Sequence, residues 1–160
     1  MIFNCYRRWT ISIPDLNSDG ELPEGIHTAT LREIARAFGS ASAYRDLLFQ
    51  RIQRLHEIAS ATGQLVRFVV YGSFVTSKPN PNDVDVFMVF DDTFDASAYG
   101  GEVAILLDHA AADAHFDARV FWLRRPAAFG GEQATIEFWQ TKRDGGQRGI
   151  VEVLESDNDR

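Results

Sequence analysis

Asp83 and Asp85 open the run DVDVFMVF at 83–90, with valine between and after them. Side chains alternate along an extended strand, so these two carboxylates point to one side while Val84 and Val86 point to the other. Carboxylates held side by side next to a core repel each other and lose hydration, which a cation between them relieves. Magnesium suits the pair, because it takes hard oxygen ligands and shares its coordination sphere with substrate phosphates. Gly72 and Ser73, at the end of the preceding run VRFVVY, supply a complementary half. Glycine lets a phosphate approach the backbone, and the amides and hydroxyl that follow donate to its oxygens. Metal on one side and phosphate donors on the other describe a site for a nucleoside triphosphate. The competing reading is a strand-turn-strand in which Asp83 caps the turn after Asn82; it accounts for one carboxylate and not for two on one face.

Two strands must carry these groups. The β-branched and aromatic run at 66–71, bounded by glycines, predicts a buried strand; the linker SKPNPND separates it from a second strand at 83–90, and a third is expected at 115–123. Upstream, Thr30 and Glu33 stand at capping-box spacing before Leu31, Ile34, Ala35 and Phe38, which predicts a helix that Gly39 stops. A longer helix is expected over 43–61, with Leu47, Leu48, Ile52, Leu55, Ile58 and Ala59 as its apolar stripe. Another is expected over 99–114, on Val103, Leu106, Leu107 and Ala110. After the loop RRPAAFGGEQ, the segments 136–142 and 150–154 are expected to pair as a hairpin across DGGQ. An apolar-polar stretch at 9–13 and a turn-rich segment at 14–25 precede all of these.

Helices at one end with strands between them imply an α+β fold around a mixed sheet. A length of 160 residues predicts one domain, 1–160, made of an N-terminal extension (1–29), a core (30–123), a C-terminal hairpin region (124–154) and a tail (155–160). The net charge of -7 argues against a duplex nucleic acid partner and is compatible with carboxylates that hold a divalent metal. Cys5 is the one cysteine, which excludes an internal disulfide framework and a cysteine-rich zinc site. No apolar run approaches the roughly 20 residues of a membrane helix. The opening MIFNCYRRWTISIP lacks a signal-peptide core, so the cytoplasm is the expected compartment.

The G-S, spacer, D-x-D pattern of Gly72, Ser73, Asp83 and Asp85 resembles the signature of minimal nucleotidyltransferases of the DNA polymerase β superfamily. The segments LPEGIHTATL, SFVTSKPNPNDVD and KRDGGQRGIVEVL look like a little-characterised bacterial branch of these enzymes. The resemblance implies a polymerase-β-like nucleotidyltransferase fold. It also implies transfer of a nucleoside monophosphate, AMP from ATP foremost, to an acceptor hydroxyl with pyrophosphate leaving. Asp83, Asp85 and Asp117, the last in HFDARVFWL, would hold two magnesium ions, with Asp117 completing the acceptor side. Small proteins of this fold often act as antitoxins that modify a partner toxin, usually a helical ribonuclease, and a homo-oligomer remains open. The alternative is a catalytically silent module of the same fold that binds nucleotide or a partner. Asp117 has a second reading, an ion pair with Arg119.

Gly72, Ser73 and Lys78 are the expected substrate-binding residues. Lys142, Arg143 and Arg148 either hold the triphosphate tail or are solvated loop charges. Asp15, Asn17, Asp19 and Gly20 copy the first half of a calcium loop, but the twelfth position is Ile26, so an Asx-rich turn is expected instead. His109, Asp113 and His115 are expected to form a polar face, not a zinc site. His27 either contacts a ligand or satisfies backbone groups near a cap, and Tyr71 either stacks on a base or fills the core.

Overall fold

A computed structural model of the chain describes residues 13–125 and 130–155. Most of the apolar-polar stretch expected at 9–13, together with Cys5 and nearly all of the tail, lies outside the described residues. The first strand, β1, spans Gly25–Thr30 and runs into the short helix α1 (Leu31–Ile34), which a wider π-helical turn at Ala35–Gly39 extends. The expected capping box is formed, with Thr30 accepting from the Glu33 amide while Glu33 accepts from the Thr30 amide at 2.7 Å. Helix α2 (Ala43–Ser60) is capped by Ser42 and buries Leu48, Ile52, Leu55, Ile58 and Ala59. Leu47, expected in that stripe, is exposed, and Arg45 occupies the stripe in its stead.

Strand β2 (Leu65–Tyr71) ends in a 3-10 turn at Gly72–Val75, and β3 (Val84–Phe90) follows the two-proline linker. The helix expected over 99–114 is two helices, α3 (Gly101–Leu107) and α4 (His109–Phe116). They part at Asp108, which turns extended and accepts from the Ala111 amide at 2.9 Å; a side chain that caps a new helix outweighs continuation of the old one. Helix α4 absorbs His115 and Phe116, so β4 spans Ala118–Arg124 and starts three residues later than the sequence predicts.

The hairpin expected from 136–142 and 150–154 is not formed. Residues Glu132–Trp139 make a helix, α5, and Gly149–Leu154 make β5, so only the isolated bridge Thr141↔Gln147 remains of the pairing. Ile136 and Trp139, three apart, both pack on the sheet while Phe138 stays exposed, a helical and not an alternating pattern. Burial of that face outweighs the strand preference of its β-branched and aromatic residues. β5 pairs in parallel with β1 and antiparallel with β2, which makes it an inner strand.

The sheet order is β1-β5-β2-β3-β4, with β2 and β3 antiparallel and β3 and β4 parallel. The fold is α+β, a mixed five-stranded sheet with helices packed on it. On one face Phe68, Val70, Val86 and Met88 join Leu48, Ile52 and Leu55 of α2; on the other Val69, Tyr71, Phe87, Val89 and Ile150 join Ile136, with Trp139 against them. No described helix is long and apolar enough to cross a membrane.

Candidate functional site

Strand alternation holds from Val84 onward, but the strand expected from Asp83 begins one residue later, and Asp83 sits in the bend before it. Val84 and Val86 are buried in the α2-side core, while Asp85 shares the opposite face with Phe87 and Val89. Antiparallel pairing sets Asp85 opposite Tyr71, the last residue of β2, and the chain then turns at Gly72 with φ 78°. A Cβ at Gly72 would collide with Oδ2 of Asp85. Glycine therefore serves twice at this position, in allowing the left-handed turn and in letting a carboxylate lie against the backbone.

Burial, and next the charge of Asp83, push the Asp85 carboxyl up to about 6, against the opposing pull of Arg119, Arg148 and Arg143. Tyr71 is held above the ordinary phenol range by burial first and by Asp85 second, so it stays neutral; it is buried against Trp139, with Arg148 over its ring at 4.8 Å. Among the described residues Asp85 makes no direct ion pair, whereas Asp83 forms an ion pair with Arg119, Nε to Oδ2 at 3.0 Å.

Asp117 does not join the pair. It takes a left-handed backbone conformation, φ 52°, at the end of α4, and its carboxylate meets Arg51 of α2 at 2.8 Å. Strand parity alone puts Asp117 on the face of Asp83 and Asp85; the helix cap overrides it and turns the side chain toward the α2 side. The Arg119 pairing expected as its second reading is likewise absent, since Arg119 serves Asp83. No group of three His, Cys, Asp or Glu side chains gathers as a metal site among the described residues. The donor set nonetheless fits one hard cation: Asp83, in the bend before β3, and Asp85, within β3, lie close enough for the charge of one to act on the other.

Gly72 and Ser73 line a cleft of about 330 Å³ together with Thr76, Lys78, Lys142 and Arg148. Lys142 is paired with Glu21 at 2.6 Å, and Arg148 donates from Nε to the Trp139 carbonyl at 3.0 Å. Lys78 makes no side-chain hydrogen bond or ion pair with a described residue and is the cation most available to an incoming anion. Arg143 acts on Asp85 only through its charge. In a chain of net charge -7, the charges of Arg119, Arg148 and Arg143 all act on Asp85.

The residue that sequence reasoning missed is Arg45, 4% exposed. It donates to the carbonyls of Phe38 at 2.9 Å, Phe74 at 2.9 Å, Thr76 at 2.7 Å and Lys78, with its guanidinium over the Phe74 ring at 5.5 Å. One guanidinium thus fastens the loop 72–78, which carries the cleft residues, to α2. Burial lowers its pKa, and its partners are backbone oxygens instead of a carboxylate. The signal was in the spacing, for 45, 48, 52 and 55 step by three and four along the buried stripe.

Residues 14–154 match the model of one protein family, Family of unknown function (DUF6932). The chain belongs to this family. No curated protein and no solved structure matches the chain. Membership therefore carries no chemistry with it, and what can be said of the site rests on its geometry.

Other residues singled out in the sequence have structural roles. Asn17 Oδ1 accepts from the amides of Asp19 and Glu21 at 2.9 and 3.1 Å, the expected Asx-rich turn. His27 lies in β1 and shares a hydrogen bond with the Pro23 carbonyl at 2.7 Å, and His109 bonds the Val120 carbonyl at 3.0 Å and stacks on Phe121.

Proposed function

We propose that the chain is a nucleotidyltransferase of polymerase-β-like fold that binds a magnesium–nucleoside triphosphate in the cleft beside Asp85. The observation that carries this reading is the closeness of two carboxylates, Asp85 in β3 and Asp83 in the bend just before it, with Asp85 lying against the backbone of Gly72, a residue that lines a cleft together with Lys78 and Arg148. Asp83 and Asp85 would hold the metal; Gly72 and Ser73 would present the backbone and hydroxyl to phosphate, and Lys78 a counter-charge. A bound magnesium ion supplies neutralisation of charge on the triphosphate. An acceptor hydroxyl oxygen attacks the α-phosphorus as the bond to the bridging oxygen breaks. Pyrophosphate leaves with that electron pair, and the hydroxyl proton passes to water. For the acceptor we take a hydroxyl on a partner protein, with a toxin of the helical ribonuclease kind as the substrate to test and AMP as the transferred group.

A second reading has its own observation. With Asp117 paired to Arg51 and Arg119 paired to Asp83, the carboxylate pair lacks a third acid, which favours a nucleotide-binding module without transfer. Incubation with α-labelled ATP and magnesium, alone and with the product of a neighbouring gene, separates the two. Label on either protein supports transfer. A magnesium-dependent thermal shift with ATP and no label supports the module. The absence of both, in a folded protein, overturns the nucleotide site.

A further inference from the structure

The strand beside the carboxylate pair contributes a cation to it. In the parallel register of β3 and β4, Arg119 stands opposite Asp85, on the face it shares with Phe121. Its Nε lies 3.0 Å from Oδ2 of Asp83 in an ion pair, and the side chain is 48% exposed. No described residue takes a hydrogen bond from its two terminal nitrogens. The one other acidic side chain at the start of that strand, Asp117, is turned by its left-handed backbone to Arg51 and is 68% exposed. The pair is thus completed by a guanidinium where a third carboxylate would be needed to hold a second metal ion.

We propose that Arg119 takes the place of a second divalent ion. The pair holds one magnesium ion with the triphosphate, and the Arg119 guanidinium binds an oxygen of the phosphate chain with its terminal nitrogens. This inference rests on the nucleotide site proposed above. A guanidinium in an ion pair with Asp83 repels a second dication from the same oxygens. Its planar fork matches two phosphate oxygens, which a lysine ammonium does not. Asp83 then serves on two sides, with Oδ2 fixed by Arg119 and Oδ1 left for the ion.

The test is a Mn²⁺ titration of the full chain with a non-hydrolysable ATP analogue, with free Mn²⁺ read by electron paramagnetic resonance and analogue binding by calorimetry. The wild type should bind one Mn²⁺ per chain. Arg119→Gln should still bind one but lose roughly ten- to hundredfold in analogue affinity, the size of a lost charge-assisted hydrogen bond. Arg119→Lys should recover only part of that loss, and Arg119→Asp should take up a second Mn²⁺. Two Mn²⁺ per wild-type chain, or an Arg119→Gln variant with unchanged analogue affinity, overturns the role of Arg119 and leaves the nucleotide site standing. Wild-type protein that binds neither Mn²⁺ nor analogue overturns the site itself. Because Arg119 is half exposed on an edge strand, circular dichroism melting of each variant should stay within a few degrees of wild type.

Discussion

Replacing Asp85 with asparagine should make the metal-free protein more stable at neutral pH and no more stable in acid. Burial and Asp83 move the Asp85 carboxyl from its ordinary 3.8 to about 6. A displacement of that size costs the ionised folded state about 3 kcal/mol. Asp85 is not sealed from water, and solvent screening reduces the figure to about 1–2 kcal/mol. Below pH 3.8 the carboxyl is protonated in both folded and unfolded chains, so the cost is absent. It grows as pH rises toward 6, because the folded state there binds the proton more tightly than the unfolded one, and it is complete above that. Asparagine keeps the shape and removes the charge. In buffer containing a chelator, Asp85→Asn should melt about 3–6 °C above wild type at pH 7.5, and the two should converge near pH 4. Magnesium with ATP should reverse the order at pH 7.5, since wild type gains from binding and the variant does not. A variant less stable than wild type at pH 7.5 without metal, or a gain that persists unchanged at pH 4, would refute the claim that Asp85 bears a desolvated charge beside Asp83.

Gly72→Ala should cost about 1–3 kcal/mol in urea denaturation from its positive-φ backbone alone, and should further abolish magnesium-dependent ATP binding by driving its Cβ into Asp85. Arg45→Met should lower stability by about 2–4 kcal/mol, since carbonyls of the loop 72–78 lose their donor, and hydrogen exchange should quicken at 72–78 while the amides of β3 change less. Asp117→Asn breaks an ion pair whose carboxylate is largely exposed, so stability should change by less than about 1 kcal/mol and the thermal shift with magnesium and ATP should be kept; loss of that shift would return Asp117 to the metal site.

What the sequence by itself determined is local. A strand has a period of two, so Asp85 stood on the face opposite Val84 and Val86 before any neighbour was known. Thr30 with Glu33 at the start of α1, the stripe of α2 and the strand at Leu65–Tyr71 were legible for the same reason, because each depends on residues within a few positions of one another. Tertiary structure decided which strands became neighbours, and with that the partners of every charge. Residues 25–30 and 149–154 look like a cap region and half a hairpin when read alone, and become strands by pairing with each other across more than a hundred residues. Residues 136–139 have strand-forming side chains and become helical because the sheet face offers burial to Ile136 and Trp139 at once. Asp117 has the right parity for the site and leaves it because the end of α4 imposes a left-handed residue there. Arg119 enters the site through strand register, and Arg45 reaches the loop 72–78 from the first turn of α2, both contacts that no local period encodes. A carboxylate's face is set by its own backbone; whether a metal, an arginine or water answers its charge is set by whichever distant segment the fold brings up to it.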